Sequence, residues 1–77
     1  DELLSVSGVA ASFVLFPDAD RVILSARSLG DTNVQVILEP LGGGGNAAVA
    51  GAQIPKKSVA EVQDALLASI DKYCEDE

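Results

Sequence analysis

Gly42-Gly43-Gly44-Gly45-Asn46 interrupts the chain between a helical pattern and a strand pattern, and the fold turns on how it is read. Four consecutive glycines carry no Cβ, so the backbone there can enter left-handed conformations and lie directly against another group. The same stretch loses the most conformational entropy on ordering. Glycine content alone leaves two readings open. One is a flexible linker or an extended helix C-cap. The other is an anion- or nucleotide-binding loop whose amides face a ligand.

Before the glycines, Val34, Ile37, Leu38 and Leu41 recur at i, i+3, i+4 and i+7, one apolar stripe of a short helix. Leu29-Gly30-Asp31-Thr32-Asn33 supplies its N-cap candidates, with Asn33 as cap or loop brace. Pro40 clashes with a helix interior, so the helix is predicted to loosen near Leu38–Glu39 while Leu41 still packs. After the glycines, residues 47–54 alternate as a small-residue strand, Ala47, Val49, Gly51 and Gln53 against Ala48, Ala50, Ala52 and Ile54. The small side chains imply close approach by a neighbouring element.

Further out, residues 9–16 read as a strand with apolar residues on both faces, and residues 21–28 as a second. Pro17-Asp18-Ala19-Asp20 is turn chemistry, so the pair is predicted to be an antiparallel hairpin. Residues 1–6 read as the end of a helix docked by Leu3, Leu4 and Val6 and broken at Gly8. At the other end, Ser58-Val59-Ala60-Glu61 fits a capping box, followed by Val59, Val62, Leu66, Ile70 and Tyr73 on one helical face. The acidic end, Glu75-Asp76-Glu77, opposes the helix dipole and should fray. The resulting architecture is α+β: a small mixed sheet of about three strands, the N-terminal hairpin plus one strand after a short helix, covered by helices and closed by a long C-terminal helix. If the second and third strands run parallel, their crossover is right-handed.

Composition restricts the chemistry. Seventy-seven residues with 48% apolar content make one small core. No apolar run approaches the ~20 residues of a membrane span, so no membrane contact by this domain is expected. The chain opens on Asp1-Glu2-Leu3-Leu4 without an initiator Met, so residues 1–77 are expected to be a single domain excised from a longer protein. A net charge of −7 disfavours long nucleic acid but not a small anion held by a local Arg and backbone amides. There is no His and only one Cys, Cys74, which removes imidazole catalysis, a zinc site and an internal disulfide. No carboxylate pair is placed for acid–base work, so no catalytic residue and no metal ligand is assigned. Arg27, at the end of the second strand between Ser25 and Ser28, is the candidate phosphate fork, because guanidinium is a rigid bidentate donor. Lys56-Lys57 reads as a solvated pair. On physics alone the chain is either an accessory domain for a phosphate-bearing ligand or a dimerisation module with a glycine hinge. The second reading makes a homodimer the expected partner.

Residues 25–54 resemble the DHH-associated (DHHA) domain of DHH-family phosphoesterases. The resemblance rests on Ser25-Ala26-Arg27-Ser28 at a strand end, Asn33-Val34 at a helix start, Gly42–Gly45, and Ala50-Gly51 before the next strand end. The Ser-Ala-Arg-Ser and Asn-Val-Gln-Val-Ile wording is most similar to the membrane-bound cyclic di-AMP phosphodiesterases of Gram-positive bacteria. Residues 2–16 and the acidic tail match that subgroup as well.

This resemblance implies a preceding DHH domain in the same chain, with two Mn2+ ions held by Asp and His, which hydrolyses cyclic di-AMP to linear pApA. It implies no cofactor in the present segment. The parent would be tethered to the bacterial membrane, with this domain cytoplasmic. By position, Gly42, Gly43, Gly44 and Gly45 match the substrate loop and Arg27 the substrate-gripping Arg, with Ser25 and Asn33 at neighbouring motif positions. Asn46 stands where the family motif has histidine; it can donate a hydrogen bond but cannot carry a proton or positive charge. Pro40 replaces a Lys-like position. Within the family, the alternative role is an accessory domain of a nanoRNA or single-strand exonuclease.

Overall fold

The computed structural model describes residues 2–4 and 9–76, and for residues 2–4 the backbone alone. Strands β1 (Glu2–Leu4), β2 (Ala11–Asp18) and β3 (Arg21–Ser28) are followed by helix α1 (Val34–Leu38) and a 3-10 turn at Glu39–Leu41. Strands β4 (Gly44–Gly45) and β5 (Val49–Pro55) and helix α2 (Val59–Asp76) complete the chain. The α+β class predicted from the sequence holds. Its sheet differs in two ways: it has five strands, in the order β1-β2-β3-β5-β4, and every pairing is antiparallel rather than mixed.

The antiparallel β3–β5 pairing follows from what lies between them. After β3 the chain passes through α1 and the 3-10 turn, comes back along the sheet edge as β4, and hairpins into β5. The crossover through α1 leads instead to β4, which runs parallel to β3 but is separated from it by β5, so β3 and β5 do not form the parallel pair. Residues 2–4, predicted as helix, pair with β2 in the register Glu2↔Leu15 to Leu4↔Phe13. Val6 and Gly8, the rest of that prediction, lie outside the described residues. The β2–β3 turn is tighter than expected. Pro17 and Asp18 belong to the ladder, leaving Ala19 and Asp20 as the turn. Arg21 closes the hairpin by reaching Asp18 Oδ2 at 2.8 Å and donating to Gln53 Oε1 at 2.8 Å.

The alternation in β2, β3 and β5 divides the sheet into two unlike faces. Ala11, Phe13, Leu15, Val22, Leu24, Ala26, Ala50 and Ala52 are buried under the two helices. Val34, Ile37 and Leu38 of α1, Val62, Leu66 and Ile70 of α2, and Val9 just before β2 complete this single core. The small residues of β5 admit α1 close to the sheet, as their size suggested. The other face has no helix over it among the described residues. It presents Ser12, Val14 and Phe16, then Ile23, Ser25 and Arg27, then Val49, Gly51 and Gln53.

The capping box forms as predicted. Ser58 Oγ accepts from the Glu61 amide at 3.1 Å, and Glu61 Oε1 accepts from the Ser58 amide at 2.9 Å. The Ser58 amide and hydroxyl hold the Glu61 carboxyl below the usual carboxylate range, with Lys57 adding to the effect. A lowered folded pKa stabilises the fold above the unfolded value, about 4.3 for Glu, and that stability disappears as pH falls through the folded value. Ser58→Ala, which removes the acceptor of the Glu61 amide, is expected to cost about 1 kcal/mol as for any lost N-cap. Most of this penalty should persist at acid pH, because the amide that chiefly holds the Glu61 carboxyl survives the substitution; urea unfolding of both proteins across about pH 3–7 measures it.

Candidate functional site

The glycine run is neither a linker nor only a cap, because its residues do different jobs. Gly42 ends the 3-10 turn with φ of 83°, and its amide donates to the Glu39 carbonyl at 3.0 Å. Gly43 is packed: a Cβ there would stand 2.7 Å from the Gly51 carbonyl oxygen and 3.0 Å from the Leu38 and Ala52 side chains. Its amide donates to the Leu38 carbonyl at 2.9 Å. Gly45 has φ of 144°, and a Cβ would overlap the Val49 carbonyl oxygen and the Ala50 backbone. Gly44 alone is free of such demands, since a Cβ built on it would meet nothing within 4 Å.

Backbone bonds hold this loop against its surroundings. The Asn46 amide donates to the Val49 carbonyl at 2.8 Å, Val34 to Ala47 at 3.1 Å, and Ser28 to Ala48 at 2.8 Å. Residues 46–48 are thus fastened to the end of β3 and the start of α1. The Asn46 side chain works within the turn: its Oδ1 accepts from the amides of Ala48 and Val49, each at 2.9 Å. Only its Nδ2 remains to meet a ligand. Asn33 Oδ1 accepts from the Val36 amide at 3.2 Å as the N-cap of α1. That side chain is therefore engaged locally.

The register carries the rest of the site. Gly44 pairs with Gly51, Gly51 with Ser25, and Ser25 with Val14, one row across the sheet. Arg27 stands two residues from Ser25, between Ser12 and Val49. Ser25, Arg27, Val49 and Gly51 all belong to the uncovered face. Two strand spacings and two residue rises separate the Cα atoms of Arg27 and Gly44, roughly 12 Å. Two adjoining depressions occupy this span. One, of about 310 Å³, is lined by Ser12, Val14, Ser25, Arg27 and Val49. The other, of about 410 Å³, is lined by Ile23, Ser25, Gly42, Gly51 and Gln53. Ser25 borders both.

Electrostatics single out Arg27. The other Arg, Arg21, is held by Asp18 and Gln53 at the far end of the hairpin. Among the described residues Arg27 is exposed and makes no ion pair or side-chain hydrogen bond. Among those residues its guanidinium is left as a bidentate donor in an acidic chain. The outer side of β4 is a sheet edge, so its outward peptide groups are also available. The structure thus brings Arg27, Ser25, Gly51 and the Gly44 edge to one surface and leaves the side chains of Asn33 and Asn46 occupied in capping.

Ser12 and Val49 carry no site signal in the sequence, and Gly51 stands out there only as part of the Ala50-Gly51 motif, not as a site residue. The alternation in residues 47–54 placed Gly51 and Val49 on one face, but only the register shows that they border Arg27. A larger groove, about 460 Å³, lies on the helical side between Pro40, Leu41, Ile54 and Val62. Its polar rim sets Glu61 and Asp64 against Lys57. That balance repels an anion, so the smaller depressions fit a phosphate better. No group of three or more His, Cys, Asp or Glu among the described residues could hold a metal ion.

A family model described as the DHHA1 domain matches residues 1–76. The chain is 49% identical over 74 residues to the cyclic-di-AMP phosphodiesterase PdeA of Listeria monocytogenes, covering 95% of this chain and 11% of that protein. It is 50% identical over 76 residues to the cyclic-di-AMP phosphodiesterase GdpP of Geobacillus thermodenitrificans, covering 97% of this chain and 12% of that protein. Against GdpP of Bacillus subtilis the identity is 49%, with the same coverage as for the Geobacillus protein. The chain thus spans about a tenth of the length of these relatives.

Proposed function

Because the chain belongs to the DHHA1 domain family, we propose that it is the substrate-binding domain of a larger phosphodiesterase, and that it holds cyclic di-AMP for hydrolysis elsewhere in the parent. The observation that carries this reading is Arg27, exposed and unpaired among the described residues, on a sheet face that continues to the bare Gly44 edge. Arg27 grips a phosphodiester as a fork, and β4 meets the ligand from the other side with backbone alone. The half-buried apolar residues of the same face, Val14 and Ile23, offer a surface for a base or for the companion domain. The similarity to PdeA and GdpP supports the choice of a cyclic dinucleotide.

Metal chemistry does not fit the residues of this chain, which has no His and no metal-holding cluster among the described residues. In this proposal the two Mn2+ ions and the attack on phosphorus that yields pApA belong to a DHH domain elsewhere in the parent. A membrane tether of the parent, with this domain on the cytoplasmic side, completes the proposal. No helix among the described residues is long and apolar enough to cross a membrane.

Amide NMR of the chain titrated with cyclic di-AMP tests the reading. Shifts concentrated at Gly42–Asn46, Arg27 and Gly51 are the expected result. No shift at about millimolar ligand, where binding free energy is only ~4 kcal/mol, would count against it. Equal response to a short linear oligonucleotide would favour the exonuclease role.

A further inference from the structure

Helix α1 has five residues, too few to persist on its own hydrogen bonds. Both of its ends are held from α2. At the start, the Asn33 amide donates to Tyr73 Oη at 2.9 Å. At the end, Ser69 Oγ donates to the Ile37 carbonyl at 2.5 Å. Ser69 and Tyr73 are four residues apart on α2, so they share a face one turn from each other. Both hydrogen bonds are partly buried, where they are better shielded from competing water.

The grip reaches the glycine loop through the backbone. One residue after Ile37, the Leu38 carbonyl accepts from the Gly43 amide, and the Glu39 carbonyl accepts from Gly42. On the other side, the Val34 amide, next to Asn33, donates to the Ala47 carbonyl just past the loop. Where α1 sits therefore fixes where residues 42–47 sit. The core also holds α1, through Val34, Ile37 and Leu38, but apolar contact is non-directional and tolerates rotation and sliding. Ser69 and Tyr73 supply the directional constraints.

We propose that Ser69 and Tyr73 are positioning residues for the glycine loop, acting as a two-point clamp from α2 on both ends of α1. Neither touches the proposed ligand surface. Its consequence for substrate rests on the function proposed above; the clamp itself does not.

The test uses the parent phosphodiesterase with this chain in place, as Ser69→Ala, Tyr73→Phe, the double variant, and Ser69→Thr to retain the hydroxyl. Hydrogen exchange is followed peptide by peptide, together with KM and kcat for cyclic di-AMP. Each lost bond is expected to speed exchange across residues 34–46 by about fivefold, with β2 and β3 unchanged. KM should rise by a similar factor while kcat holds, and Ser69→Thr should restore both. Unchanged exchange in residues 34–46, or equal acceleration throughout the domain, overturns the clamp. Accelerated exchange confined to residues 34–46 with unaltered KM upholds the clamp and counts instead against the loop as the substrate contact.

Discussion

Gly45→Ala is expected to destabilise the domain by about 2–4 kcal/mol, whereas Gly44→Ala, one position earlier, leaves stability within about 0.5 kcal/mol or raises it slightly. The two glycines are chemically identical and sit in the same two-residue strand, so only their surroundings separate them. At Gly45 a methyl group meets two obstacles at once. Its φ of 144° is a conformation that side-chain-bearing residues rarely adopt, and the added Cβ would overlap the Val49 carbonyl and come within 2.7 Å of the Ala50 Cα. Both obstacles are backbone, which cannot swing aside like a side chain. Relief requires opening the β4–β5 hairpin, including the Asn46–Val49 hydrogen bond. A domain this small holds only about 4–12 kcal/mol in total, so the loss is severe.

At Gly44 neither obstacle exists, and replacing glycine there lowers the entropy of the unfolded chain. Urea unfolding of the two variants beside the parent chain measures the contrast. The same pair separates fold from function. On the function proposed above, Gly44→Ala should fold normally and bind cyclic di-AMP worse, because its methyl would stand on the proposed ligand-facing edge. Undiminished binding by Gly44→Ala would show that the loop backbone is not a contact.

The glycine run also shows where sequence reading stops. Periodicity and capping are local, so β2, β3, β5, α2 and the Ser58–Glu61 box were legible from residues next to one another in the chain. The division of β5 into an inner face of Ala50 and Ala52 and an outer face of Val49, Gly51 and Gln53 was legible for the same reason. Strand direction is not local. The segment from Leu29 to Ala48 contains a helix, and a strand–helix–strand segment suggests a parallel crossover. What reverses it is β4, made of two glycines, the residue with almost no strand preference of its own. β1 failed for a different reason: three residues are too short to distinguish a period of 2 from one of 3.6.

The candidate site divides along the same line. Arg27 and Ser25 were recognisable as residues of one strand face, and the glycines as a bare backbone. That Gly44, Gly51 and Ser25 lie in one row depends on register across three strands, which no local pattern encodes. The capping work of Asn46 was hidden because its Oδ1 serves amides two and three residues on, as an Asn in a turn commonly does.

On the function proposed above, Arg27→Ala in the parent protein is expected to lower kcat/KM by about 10- to 150-fold, equivalent to ~1.5–3 kcal/mol for a charged hydrogen-bonded contact. The side chain is exposed and has no ion-pair partner among the described residues, so its removal should cost little stability. The thermal midpoint should therefore stay close to that of the parent, and the kinetic loss can be assigned to the ligand. Arg27→Lys should recover only part of it, because an ammonium keeps the charge but not the planar fork. The rest of the chain sharpens the effect. With a net charge of −7, an anionic substrate is repelled on average, and Arg27 supplies the local reversal of sign at the site. Repulsion and attraction at an exposed site are both screened by salt, so the gap between parent and variant should narrow as ionic strength rises. Arg21→Ala is the matched control: it removes the same charge from the opposite end of β3, where the guanidinium is occupied by Asp18 and Gln53. If Arg27→Ala and Arg21→Ala lower kcat/KM equally, the domain acts through its overall field and not through a fork at Arg27. If Arg27→Ala leaves kcat/KM unchanged, the uncovered sheet face is not where the phosphodiester is held.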